Sequence, residues 1–93
     1  MKLEPIINFM HAIQHQVNMS DICDSVSFGA NDEKECMEIR FRCHDVIIPT
    51  GGVSFTSYVE RSIAYDELTA NDFSPVHTAG ALIRNVERLI KGE

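Results

Sequence analysis

Hydrophobic residues recur at three- and four-residue spacing over residues 4–18: Ile6, Phe9, Met10, Ile13 and Val17, with Ile7 on the flank. Glu4, Asn8, His11, His15 and Asn18 fall on the other side. This spacing predicts an amphipathic helix. Pro5 suits its first turn, where a missing N–H costs nothing, and residues 18–20 supply stop signals. A second helical pattern follows Ser74, an N-cap type, with Pro75 at the first helical position. Its apolar stripe is Val76, Ala79, Leu82, Ile83, Val86, Leu89 and Ile90, and Gly92 marks its end. Arg84, Arg88 and Lys91 lie towards the C-terminal end, where cations favour the helix dipole. Gly80 costs this helix about 1 kcal/mol relative to alanine. With Ala79 and Ala81 it makes a patch small enough for another backbone to approach.

Between the helices the period changes to two. In residues 22–29, Val26 and Phe28 alternate with Ser25 and Ser27, and a polar turn, residues 30–35, follows. Over residues 36–48, Met37, Ile39, Phe41 and Cys43 point one way, while Glu38, Arg40, Arg42 and His44 point the other. That is a half-buried strand with one solvated face. The alternation slips over residues 45–48, as a bulge or bend would make it. Pro49-Thr50-Gly51-Gly52 reads as a turn. From Val53 to Tyr65, Val53, Phe55, Val59, Ile63 and Tyr65 share a parity, with Ser57 and Arg61 as exceptions. A helix through Tyr58, Val59, Ser62 and Ile63 competes, but β-branched and aromatic content favours a strand. Residues 66–73 form a connector with one helical turn over 66–68. The order α-β-β-β-α predicts an α+β fold: a three-stranded antiparallel meander with both helices packed on one face.

At 93 residues and 10.5 kDa, the sequence accommodates a single domain, 1–93. A chain this small builds one thin core and no deep enclosed pocket for a large cofactor. The longest apolar runs span two or three residues, against about 20 for a membrane span. The start, Met1-Lys2-Leu3-Glu4-Pro5, lacks the basic patch and apolar run of a signal peptide. The three cysteines (Cys23, Cys36 and Cys43) are odd in number and form no CxxC pair, so reduced thiols and a cytoplasmic location are expected. Fourteen acids against eight bases give a net charge of −6. This disfavours direct contact with a nucleic-acid backbone or an anionic membrane, and it favours a partner with a basic surface.

Three arrangements bear on catalysis or nucleic-acid binding. His11 and His15 have the spacing of two zinc-binding histidines on a helix. However, Ala12 stands where the zincin pattern has its catalytic Glu, and no third ligand is indicated, so no metal or other cofactor is expected. Cys43 and His44 are adjacent on a strand and diverge, which argues against a nucleophile–base pair and against an enzyme. The element order resembles the double-stranded-RNA-binding domain, which reads RNA partly through its last helix. The lysine-rich start of that helix is here Ser74-Pro75-Val76-His77-Thr78, without a lysine or arginine.

The carboxylates stand out most. Six acids and one lysine lie between Asp21 and Glu38, and Glu60, Asp66, Glu67 and Asp72 form a looser second group. Carboxylates spaced along a surface imitate a phosphate backbone and steer encounters with a basic groove. The residues expected to contact a partner are Asp32, Glu33, Glu35, Asp66, Glu67 and Asp72. A solvated, solubilising surface is the plain alternative. Arg40, Arg42, His44, Tyr58 and Glu60 share the open sheet face, where Arg42 and Glu60 are expected to pair. That face, or the Gly80 patch, is the expected contact of a homodimer.

Size, acidity and the helix–meander–helix plan resemble small phage- and prophage-encoded proteins, anti-CRISPR proteins among them. So does the stretch Tyr58-Val59-Glu60-Arg61-Ser62-Ile63-Ala64-Tyr65-Asp66-Glu67-Leu68, a strand running into a short acidic turn before a final helix. The resemblance is one of architecture and charge over the whole chain. It implies a non-enzymatic inhibitor of a host nucleic-acid-handling or defence protein. A homo-oligomeric structural or regulatory protein, and a small metal- or thiol-dependent enzyme, are the alternatives.

Overall fold

The computed structural model describes residues 3–44 and 56–92. Helix α1 (Leu3–Met19) leads into strand β1 (Cys23–Asn31), β2 (Cys36–His44) and β3 (Thr56–Ala64). A single turn, α2 (Tyr65–Leu68), and a long helix, α3 (Pro75–Lys91), follow. The strands form an antiparallel meander in the order β1-β2-β3, and the α+β layout is as the periodicities predict. Val53 and Phe55, the 45–48 slip and the 49–52 turn lie outside the described residues. The helical alternative for Tyr58 to Ile63 is not what forms: these residues lie in β3. Tyr65 belongs to α2 rather than to the strand.

Strand alternation builds the floor of the core. Met37, Ile39, Phe41 and Cys43 from β2, with Val59 and Ile63 from β3, are buried on one face. Phe9, Ile13 and Val17 of α1 and Ala79, Ile83 and Val86 of α3 close over them, and Leu68 of α2 joins the same cluster. Phe73 meets Phe9 edge-on, with ring centroids 5.5 Å apart. The two helices pack on one another, and α1 also lies on β1. Arg61, at an inward position of β3, turns its guanidinium to Asn85 Oδ1 of α3, with nitrogens at 3.1 and 3.2 Å. This accounts for a charged residue among apolar ones.

The ends of α3 follow their capping signals. Ser74 Oγ accepts from the His77 N–H at 3.4 Å, Pro75 opens the first turn, and Gly92 closes the helix in the left-handed region at φ 76°. Two residues of the predicted stripe, Val76 and Leu89, are exposed, although Ile90 beside Leu89 still packs against the core. Ile7 on the α1 flank is exposed too. Gly80 is buried, and a Cβ built there would meet Arg84 Nη1 at 3.3 Å. That atom is the tip of a flexible, exposed side chain that can move aside. Gly80→Ala is therefore expected to raise stability by about 1 kcal/mol, measured by urea denaturation. A loss instead would mean that Arg84 is held in place. No helix among the described residues is long and apolar enough to cross a membrane.

Candidate functional site

The β1–β2 connection is a tight polar turn whose geometry is fixed by its own side chains. Asn31 Oδ1 accepts from the Lys34 N–H at 3.1 Å, and Asn31 Nδ2 donates to Glu38 Oε1 at 2.6 Å. Glu35 takes a left-handed conformation, φ 51°, uncommon for a residue with a Cβ. This backbone twist aims the Glu35 carbonyl at the start of α2, where it accepts from the Tyr65 N–H at 3.0 Å. The Tyr65 hydroxyl then donates to Asp32 Oδ1 at 3.1 Å. Tyr65 thereby ties two acidic segments together although Asp32 and Tyr65 are 33 residues apart in sequence. The turn contributes Asp32, Glu33 and Glu35, all exposed, and α2 contributes Asp66 and Glu67, also exposed. Asp72 is exposed in the following connector, and no hydrogen bond joins it to this group among the described residues.

Electrostatics at this end are consistent with its composition. The Tyr65 phenol is held above its ordinary range, first by desolvation, then by the hydrogen bond to Asp32 and the negative charge of that carboxylate. The folded chain keeps this proton at a pH where the unfolded chain has begun to lose it. The contribution is therefore present below the ordinary tyrosine pKa of about 10 and fades as the pH rises through the elevated value. Lys34 is the one base in the turn.

The outer face of the sheet is organised differently from expectation. The register sets Arg40, not Arg42, opposite Glu60, and Arg42 opposite Tyr58. The ion pair is accordingly Arg40 Nε to Glu60 Oε1 at 3.8 Å, with both side chains exposed. Such a pair contributes at most about 1 kcal/mol. The Arg40 guanidinium also lies over the Tyr58 ring, 4.2 Å from its centroid. His44 Nδ1 meets Asp24 Oδ1 at 2.8 Å on this same face. From the Arg40–Glu60 pair towards the β1–β2 turn runs a shallow open depression lined by Ser27, Gly29, Cys36, Glu38, Arg40 and Ser62, among others. Its charges are mixed. Gly80 lies elsewhere, in the buried surface of α3, so it does not extend this face.

Cys43 and His44 diverge, as strand alternation requires: Cys43 is fully buried, while His44 turns to Asp24 on the other side. His11 and His15 are both exposed on α1. Among the described residues, no three His, Cys, Asp or Glu side chains stand close enough to hold a metal ion. Alternation and charge counting find the acids, but not the Tyr65 link between them, because nothing local marks a hydrogen bond between such distant residues. Compared with protein-family models, with curated proteins and with solved structures, the chain matches none.

Proposed function

We propose that this chain is a non-enzymatic interaction protein, encoded by a phage or other mobile element, that presents carboxylates to the basic groove of a host nucleic-acid-binding or defence protein. The observation that supports this most is the double link from Tyr65 to the β1–β2 turn, which gathers Asp32, Glu33, Glu35, Asp66 and Glu67 at one end of the molecule. Carboxylates anchored to a turn and a helix start lose less freedom on binding than carboxylates on a loose chain. Their summed field steers a cationic surface into contact. The net charge of −6 works in the same direction. Asp72 adds to the field rather than to the anchored group.

The test is capture of host proteins on the immobilised chain, followed by identification of those that a DNA oligonucleotide displaces. The wild-type chain is expected to retain a basic, nucleic-acid-binding protein. The triple variant Asp32→Lys, Glu33→Lys, Glu35→Lys is expected to lose at least about tenfold in affinity for it, since each close charge pair is worth about 1.5 kcal/mol or more. Retention that survives the triple reversal unchanged would rule out the acidic end as the contact.

A further inference from the structure

We infer that Cys23 and Cys43 are a latent disulfide, two facing thiols that close into a cross-strand bond when the chain meets a small-molecule disulfide. The two residues are register partners at the open end of the β1–β2 hairpin. Their sulfurs stand 3.6 Å apart. The bonded distance is about 2.05 Å, so the sulfurs need to approach by roughly 1.5 Å. The neighbouring His44 N–H donates to the Ile22 carbonyl at 3.1 Å, which makes Cys23 and Cys43 a non-hydrogen-bonded pair. In such pairs the Cα atoms are about 4.5 Å apart, within the range of about 4.4–6.8 Å that disulfides span.

The pairing depends on an irregularity in β1. The register shifts between Cys23 and Ser25. Simple alternation would put Cys23 on the outer face with Ser25 and Ser27. The bulge at Asp24 turns it inward, against Cys43. Cys36 has no such partner: it stands opposite Asn31 and Ala64 and lies outside the apolar core cluster.

The reaction proceeds by two exchanges. Cys23 is the first residue of an edge strand, where ladders open most readily. After losing its proton it attacks one sulfur of oxidised glutathione. The small disulfide's S–S bond breaks, and one glutathione leaves and takes up a proton. The Cys43 thiolate then attacks the Cys23 sulfur of the mixed disulfide, and the second glutathione leaves, also protonated. The two protein sulfurs give up two electrons, and the small disulfide is reduced to two thiols.

The surroundings make this closure slow near neutrality. Burial pushes the Cys23 thiol above its ordinary range against the smaller, opposite effect of its hydrogen bonds to Cys43 and Ser20, and the charges of Glu87 on α3 and Asp24 on β1 push the same way as burial. Thiolate is therefore scarce, and the closure rate is expected to rise about tenfold per pH unit between pH 7 and 9.

The experiment equilibrates the wild-type chain with oxidised glutathione, traps remaining thiols by alkylation, and maps the peptides without reduction. Expected are a mass about 2 Da below that of the reduced chain before alkylation, a Cys23–Cys43 linked peptide, and alkylation at Cys36 alone. The closed form is also expected to melt about 10–20 °C higher, because the bond restrains the unfolded chain. The Cys36→Ser variant should close equally well. Three alkylated cysteines at equilibrium, a product that stops at the glutathione adduct, or a bond that includes Cys36 would each overturn the assignment. Mapping uses the wild-type chain, so the outcome does not depend on a variant that fails to fold.

Discussion

A Phe41→Ala variant is expected to lose about 3–5 kcal/mol of folding stability. Phe41 sits midway along the central strand, fully buried, with Val26 and Val59 as its register partners on either side. It belongs to the apolar cluster that includes Phe9, Ile13, Ile83 and Val86. Removing the ring leaves a void that no single element can close, since both β1 and β3 are held in register along β2. A domain of this size has about 5–15 kcal/mol in total, so the variant should stand close to unfolding at room temperature. Urea denaturation followed by circular dichroism measures the loss. A Val26→Ala control, half-buried on the edge strand, should lose markedly less. A loss below 1 kcal/mol at Phe41, roughly what one methylene is worth, would mean that the helices do not close over the sheet as described.

The second large effect is expected at Leu68. This is the buried residue of α2 and is fully excluded from solvent. Leu68→Ala should cost about 2–5 kcal/mol through lost burial and the cavity left behind. It also reaches the acidic end. A helix of four residues has no stability of its own, so its packing is what holds Tyr65 against the β1–β2 turn. Hydrogen exchange separates the local loss from the global one. The Tyr65 amide, bonded to the Glu35 carbonyl, and the Thr69 amide, bonded to the Tyr65 carbonyl, should lose protection before the amides of β2 do. If those two amides exchange in step with the sheet, α2 is not an independently anchored unit.

Local sequence signals are enough to locate most of the elements. Three- and four-residue spacing places α1 and α3, and Ser74, Pro75 and Gly92 mark the ends of α3 as their chemistry dictates. Alternation assigns the faces of β2 correctly at every described position from Met37 to His44. It does not set the partners across strands. A slip of two residues preserves every face, so Arg40 and Arg42 are equivalent candidates for Glu60 until the β2–β3 register is known. Nor does it reveal the bulge that turns Cys23 inward, because one inserted residue reverses parity without a distinctive residue type. The acids themselves are plain in the sequence. Their assembly depends on Glu35 taking a left-handed conformation and on Tyr65 reaching Asp32, both products of the tertiary structure.

Packing of α1 against α3 has a consequence for biosynthesis. Helix α1 leaves the ribosome well before α3, on which it depends for its cover. Until α3 emerges, Phe9, Ile13 and Val17 have no completed core to enter. Between the emergence of α1 and that of α3 the nascent chain therefore carries a sticky amphipathic segment, which makes it a natural client for chaperones that bind short apolar helices.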